Sequence, residues 1–352
     1  MQPAVDTIEA RRGDELPKEL EVYLKHALNA EGEYHVSQFP GGYSNLTYLI
    51  RIGSKRLVLR RPPRGVKAKS AHDMGREFLV LQHLKGVMPE IPEPLHFCAD
   101  ESIIGSSFYV MGFIAGFILR KEWPEGFDLT LEQQKLQMRN VVGLQARLHG
   151  LNYQKLGLET FGQPDGYAQR QVQGWVKRYR ASRTEDAPEF EDVMGWLERE
   201  VITLPERKGC LIHNDYKLDN LVFDPTDPTR ILGLLDWEMA TLGDPLMDLG
   251  NSLAYWVEPK DPAYMHAFRT LPSHKPGYPD RAEQLRWYAE LSGRAIERWN
   301  FYATFGLFRL AVIAQQIYQR FKLGQSADER FSKLIHGVMA LEKACGMAMK
   351  LR

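Results

Sequence analysis

The chain has 352 residues, with 45 basic and 45 acidic side chains, a formal net charge of zero and three cysteines. That balance supplies no basic excess for nucleic-acid phosphates, and Cys98, Cys210 and Cys345 are too scattered for a disulfide framework or zinc spacing, which fits a reducing compartment. The apolar share of 44% and charged share of 26% are those of a folded globular chain, long enough for one large domain or two ordinary ones at roughly 100–200 residues each.

The opening stretch MQPAVDTIEARRGDE is charged and has no apolar core, unlike a secretory signal. The longest apolar run, Phe108 to Leu119, contains two glycines and falls short of the about 20 residues that span a bilayer. A cytoplasmic protein without membrane or nucleic-acid partners is expected.

Leu20, Leu24 and Leu28 place one stripe on a first helix over 17–28. Three strands follow, 34–39, 46–52 and 56–60, with a turn at 40–45 and a tight hairpin at Gly53-Ser54. Ser70 with Asp73 signals a helix start, and Phe78, Leu81 and Leu84 continue it. Ile91 to Pro94 reads as a stiff connector, and 107–114 as a further strand. The remainder reads as mostly helical, with stripes at Val141/Leu144/Leu148/Leu151 and Phe190/Val193/Leu197/Val201. Two short apolar strands, 221–223 and 231–235, interrupt it. Five of the 20 prolines fall between Pro259 and Pro279 and mark a long irregular loop of the kind that often binds ligands. The last helices are expected to 321, ended by Gly324, and from Ser326 with Glu329 as a capping box. The composition shift near residue 115 is the one candidate boundary.

Chemistry concentrates in Leu211-Ile212-His213-Asn214-Asp215-Tyr216-Lys217-Leu218-Asp219-Asn220, of the form H-x-D-x₄-N, followed 21 residues after Asp215 by Asp236 at the end of an apolar strand. Phosphoryl transfer from a nucleotide needs a carboxylate to orient the attacking hydroxyl and accept its proton. It also needs hard oxygen ligands for Mg²⁺ and a cation for the phosphates. Asp215 suits the first role and Asn220 and Asp236 the second. A buried strand-end carboxylate such as Asp236 also calls for a cation.

The segments HNDYKLDN and LLDWEMATLGDPLMDLG closely resemble the aminoglycoside phosphotransferase and choline kinase branch of the eukaryotic-like kinases. The likeness is greatest to the subgroup found beside, or fused to, acyl-CoA dehydrogenases. It extends over nearly the whole chain through FPGGYSNLTYLI, VLRRPP, MGREFLVLQHL, FYVMGFIAG, LQARLHGL, QVQGWVKRYRAS and FGLFRLAVIAQQIYQRF. It implies an α+β, two-lobed protein-kinase-like fold: a small antiparallel-sheet lobe over 1–113 and a mainly helical lobe over 114–352. It further implies Asp215 as base with Lys217 beside the transferring group, Mg²⁺ on Asn220 and Asp236, and His213 and Asp248 bracing the loop. Gly41, Gly42, Ser44 and Asn45 would cover the phosphates of ATP or GTP. Arg60 would bind phosphate, Glu77 would anchor it, and Met111 to Phe113 would form the hinge.

Two positions depart from the pattern. Arg60 stands where kinases at large have lysine, keeping the charge with a different reach, and Gly112 stands where relatives often have glutamate. Singly, Arg60 reads as a solvated strand end, Glu77 as a surface helix residue, the 41–45 turn as a hairpin and the 60–69 basic run as a solvated edge. His149 reads as a packed or capping histidine and Trp175/Tyr179 as core or cleft wall. Only the ordered set points to an enzyme. The expected activity is transfer of the γ-phosphoryl group to a hydroxyl of a neutral or anionic small molecule, with a hydroxyacyl compound suggested by the subgroup. The acceptor walls are expected from the 256–279 loop, with Lys260, His266, Arg269, His274 and Lys275, and from 298–302. The alternatives are an inactive nucleotide-binding module, discriminated by Arg60, and an aminoglycoside phosphotransferase. A protein kinase ranks lower, since Asp236 runs almost directly into Gly243-Asp244-Pro245 and leaves little platform for a peptide.

Overall fold

A computed structural model describes residues 16–39, 45–63, 73–124, 127–326 and 328–351. It divides into two compact units: residues up to Ile118 with Leu221–Asp227 and Ile231–Ala240, and Leu119–Asn220 with Pro228–Arg230 and Thr241 onwards.

The first unit is built on alternation of apolar residues. Strands β1 (Tyr34–Gln38), β2 (Leu46–Ile52), β3 (Lys55–Arg61), β4 (Pro94–Cys98) and β5 (Phe108–Gly112) form an antiparallel sheet in the order β1-β2-β3-β5-β4. Gly53 closes the β2–β3 hairpin at φ +56°, and a Cβ there would lie 2.6 Å from the Glu31 carbonyl. Tyr48, Ile50, Leu57, Leu59 and Val110 form one core face, against which Leu20 and Leu24 of helix α1 (Glu19–Ala27) pack. Helix α2 (Met74–Leu84) is capped by the Asp73 side chain, which accepts from the Arg76 N–H. Ser70 lies outside the described residues. The connector ending at Pro94 opens directly into strand β4. Proline is tolerated there because β4 is a sheet edge. A separate three-stranded sheet joins β6 (Phe117–Ile118) to the hairpin of β8 (Leu221–Phe223) and β9 (Ile231–Leu234). That pairing is why residues 114–118 and most of 221–240 group with the N-terminal sheet, across the sequence-based boundary at 113.

The second unit contains α3 (Leu131–Gly150), α4 (Tyr167–Ser182), α5 (Glu191–Glu200), α6 (Pro245–Leu253), α7 (Ala263–Ala267), α8 (Arg281–Ser292), α9 (Trp299–Lys322) and α10 (Leu334–Ala348). A two-stranded ladder pairs β7 (Cys210–Ile212) with β10 (Thr241–Gly243). Three readings change. Helix α4 covers a stretch to which periodicity gave no element. Helix α7 interrupts the proline-rich loop. The last helix starts at Leu334, after a 3₁₀ turn capped by Asp328 rather than Ser326. Helices α6 and α9 cross at glycine contact: a Cβ on Gly306 would meet the Gly250 carbonyl at 2.2 Å. Among the described residues no helix is long and apolar enough to cross a membrane.

Candidate active site

In the second unit, β7 delivers His213, Asn214 and Asp215 into a loop whose backbone is tied down by one buried carboxylate. Asp248, on the first turn of α6, is fully buried. Its oxygens accept from the Asn214 N–H at 2.6 Å and the His213 N–H at 3.4 Å. The same carboxylate meets His149 Nε2 at 2.9 Å and Gln145 Nε2 at 3.2 Å. Burial works against this charge, but the hydrogen bond and field of His149 outweigh it and hold the carboxyl below its ordinary range. His149 is in turn held at Nδ1 by the Tyr288 hydroxyl at 2.7 Å. His213 is buried and accepts the Asp215 N–H at Nδ1, 3.3 Å away, so it braces the loop.

Asn214 takes a left-handed φ of +65°, rare for a residue with a side chain. The strain is held by Tyr167, whose hydroxyl sits 3.0–3.1 Å from the Asn214 amide, and by Asn251 at 3.4 Å. The turn presents the Asp215 carboxylate. Its Oδ2 accepts from Asn220 Nδ2 at 2.9 Å and meets Lys217 Nζ at 3.2 Å, while Oδ1 has no hydrogen-bond partner among the described residues. Asn220 Nδ2 also donates to the Asp215 carbonyl at 2.8 Å, which leaves its amide oxygen as a donor atom for a metal. Lys217 reaches Asp219 at 3.6 Å and lies 5.0 Å from the Tyr255 ring centroid. Burial opposes the Lys217 charge. Tyr255, Asp215 and Asp219 outweigh burial and hold the ammonium protonated beyond its usual range.

In the first unit, Arg60 is 7% exposed and pairs with the buried Glu77 of α2. Its other nitrogen meets Asp236 at 3.1 Å and Glu238 at 3.7 Å. Glu238 also accepts from Asn45 Nδ2 at 2.8 Å. Burial lowers the tendency of Arg60 to hold its proton, but Glu77, Tyr109, Asp236 and Glu238 reverse this and keep the guanidinium firmly charged. Burial pushes the Glu77 carboxyl up, against the pull of Arg60. Asp236, two residues after the end of β9, occupies a left-handed φ of +66° and turns the chain there.

Of the residues singled out from the sequence, the structure brings Asp215, Lys217 and Asn220 together in one cluster, and Asp236, Arg60, Glu77 and, through Glu238, Asn45 in another. Met111 is buried within β5, and the Phe113 N–H donates to the Arg56 carbonyl at 3.2 Å with the Arg56 guanidinium 4.9 Å over its ring. Gly41, Gly42 and Ser44 lie outside the described residues. Three contributors were missed: Glu238, two residues past Asp236; Asp219, inside the quoted motif; and Tyr255, on the helical unit. The first two were visible as extra acids beside assigned ones. Tyr255 carries no local signal. An apolar cavity of about 160 Å³ opens beside Tyr255, lined by Met265, Phe268, Leu310, Ala314 and Leu341.

A sheet that seats a buried Arg–Glu pair beside a strand-end aspartate, and a helical unit that presents an H-x-D-x₄-N loop, together define a phosphotransferase of the two-lobed kinase-like fold. More particularly, the chain belongs to the phosphotransferase enzyme family, whose model matches residues 35–285. It is 37% identical over 314 residues to acyl-CoA dehydrogenase family member 10 of Mus musculus, covering 88% of this chain and 29% of that protein. It is 36% identical over 329 residues to acyl-CoA dehydrogenase family member 11 of Rattus norvegicus, covering 89% of this chain and 40% of the other. The chain therefore spans less than half the length of these curated relatives. Among solved structures, a candidate aminoglycoside phosphotransferase from Ralstonia eutropha JMP134 superposes with a TM-score of 0.80 at 30% identity, over 96% of this chain and 99% of that one.

Proposed function

We propose that the protein transfers the γ-phosphoryl group of ATP, with GTP as the alternative donor, to a hydroxyl of a neutral or anionic small molecule, a hydroxyacyl compound being the leading class. The observation that carries this is the Asp215 carboxylate. One oxygen is clamped by Asn220 and Lys217, and the other is left open on a loop fixed by Asp248.

In this reading Oδ1 of Asp215 accepts a hydrogen bond from the acceptor hydroxyl. It orients the oxygen towards phosphorus and takes the proton as the O–P bond forms. Lys217 keeps Asp215 ionised before transfer and offsets negative charge on the transferring group. Arg60, fixed by Glu77, is the cation for the phosphates. Asp236 and Asn220 fit a hard divalent cation by donor chemistry, and Glu238 adds a further carboxylate. Mg²⁺, when bound, would neutralise phosphate charge. The acyl relatives and the apolar cavity beside Tyr255 both favour an acceptor with an apolar portion.

The test is Mg²⁺-dependent ATP turnover with a panel of hydroxy acids, their thioesters and aminoglycosides, in wild type and Asp215→Asn. Loss of the base is expected to lower kcat by about 10²–10⁴-fold with ATP binding retained. Full activity in Asp215→Asn, or no ATP binding by wild type with Mg²⁺, would sink the proposal.

A further inference from the structure

The cavity beside Tyr255 has a volume of about 160 Å³, and the elements around it fix its course. Helix α9 crosses α6 at Gly306, against the Gly250 carbonyl. Leu310 and Ala314 follow at successive turns of α9, are half-buried, and line the cavity. The turn after Ala314 carries Tyr318, which forms a filled cluster with Ala187 and Ile335. Leu334, a residue of the cavity wall, packs against that cluster. The space therefore begins past the end of α6, at Ala254 and Tyr255, follows α9 and is closed beyond Ala314.

The near end belongs to the Asp215 loop. The Tyr255 ring centroid lies 5.0 Å from Lys217 Nζ, and that nitrogen lies 3.2 Å from Asp215 Oδ2. A residue of the cavity wall thus stands no further from the carboxylate than the sum of those two spans, a distance that one small molecule bridges. The lining suits hydrocarbon. Met265, Phe268 and Leu341 face the space, and Phe268 is 37% exposed. Water held there would need polar partners. Of the polar lining, the Tyr264 hydroxyl turns to Met347 Sδ at 3.9 Å, and Arg269 donates to His274 Nδ1 at 3.0 Å and pairs with Glu122. Lys275 shares the same Glu122 carboxylate at 3.8 Å, so two cations meet one anion at the Arg269 side.

We propose that this cavity is the tail subsite of the acceptor, and that Ala314 and Leu341 set the length of the tail. An apolar protein cavity of about 150 Å³ holds benzene, so the space takes a tail of about six carbons. The acceptor is then a hydroxylated compound with an unbranched hydrocarbon tail, uncharged or anionic elsewhere, whose hydroxyl meets Asp215. A polycationic aminoglycoside has neither the hydrocarbon for the cavity nor the charge for its Arg269 side. This inference rests on the phosphotransferase reading and narrows its acceptor to an amphiphile of medium chain length.

Steady-state kinetics test it with straight-chain hydroxy acids and their thioesters, the hydrocarbon beyond the hydroxyl rising from ethyl to dodecyl. For wild type, kcat/KM is expected to rise about fourfold per added methylene, the transfer free energy of one buried CH₂, and to level off near hexyl. Ala314→Leu adds about three carbons at the closed end and is expected to bring the plateau forward by two to three carbons. Leu341→Ala removes about three carbons and is expected to delay it by as much, which keeps the test intact if one variant folds poorly. The KM for ATP should stay within about twofold in both. A wild-type kcat/KM independent of tail length, or a plateau that neither folded variant moves, would overturn the proposal.

A readout free of turnover is isothermal titration calorimetry with butyrate, hexanoate, octanoate and decanoate, which lack the hydroxyl. Wild-type affinity is expected to rise along the series up to the plateau, with a negative heat-capacity change from apolar burial. Ala314→Leu should weaken decanoate more than butyrate. If wild type shows that binding yet fails to bind ATP with Mg²⁺, the phosphotransfer reading fails and the tail subsite stands. If ATP is turned over with no dependence on tail length and no carboxylate binds, the tail subsite alone fails. A mere packing gap predicts that Ala314→Leu raises the melting temperature and leaves chain-length dependence unchanged, and that result too would overturn the proposal.

Discussion

Replacing Asp248 by asparagine keeps the side-chain volume and removes one charge from a fully buried position. Four donors converge on that carboxylate, from the backbone N–H groups of Asn214 and His213 and from His149 and Gln145. The asparagine oxygen can serve the shortest of them, the 2.6 Å bond from Asn214, but its amide turns a donor towards the others. Charged hydrogen bonds contribute about 1.5–3 kcal/mol against about 0.5–1.5 for neutral ones, and an unpaired buried group costs about 1–3 more. The expected loss of stability is therefore about 2–4 kcal/mol. Urea unfolding at neutral pH measures it, and amide exchange at His213 and Asn214 locates it, since both protons should exchange faster. The pH dependence supplies a second check. The Asp248 carboxyl is held below its ordinary value in the folded state, so its contribution is complete above about pH 3.9 and is lost as pH falls through the lower folded-state value. Wild type should lose this increment in strong acid, and Asp248→Asn should show a flatter acid limb. A stability loss under about 0.5 kcal/mol with unchanged exchange at both amides would refute the assignment of Asp248 as the loop's anchor.

Arg60→Met leaves Glu77 buried beside Asp236 and Glu238 without their shared cation. Thermal unfolding is expected to show about 3–5 kcal/mol of destabilisation, with Arg60→Lys intermediate. Lys217→Met strands Asp219, whose carboxyl burial already pushes up, and should cost about 1–3 kcal/mol at neutral pH by urea unfolding. The raised Lys217 value makes its contribution complete below about pH 10.4 and lost only as pH climbs through the folded-state value, so wild type and variant should converge in strong alkali. Gly306→Ala drives a methyl to 2.2 Å from the Gly250 carbonyl and is expected to cost about 1–3 kcal/mol or more, read from the denaturation midpoint; a neutral outcome would show that α6 and α9 can part freely.

Much of the fold could be read locally because its elements obey one period each. Strand β2 matches the expected 46–52 residue for residue, since Leu46, Tyr48, Ile50 and Ile52 alternate up to the Gly53 turn. Helix α4 was not assigned as a helix from periodicity because it opens on a left-handed Gly166 with no side-chain cap, so no start signal precedes it. The start of α10 was misassigned because Ser326 and Asp328 are both residues that cap helices, and only the geometry selects Asp328, as the cap of the 3₁₀ turn that precedes α10. The site was legible where its residues lie close in sequence: His213, Asp215, Lys217 and Asn220 span eight positions, and Glu238 could have been added from its neighbour Asp236.

The sequence by itself determined the chemistry: the H-x-D-x₄-N spacing, the strand-end aspartate 21 residues after Asp215, and the arginine in place of the usual lysine. These rest on side-chain identity and short-range spacing, which survive without coordinates. Only the tertiary structure decided which charges are compensated. Asp248 meets His149 across 99 positions, and Arg60 meets Asp236 across 176, so no local pattern could have paired them. The same holds for the cavity beside Tyr255, whose walls are ordinary apolar residues in the sequence and come together from α7, α9, α10 and the segment after α6, because burial, the sharing of counter-charges and unfilled space are properties of the packed chain alone.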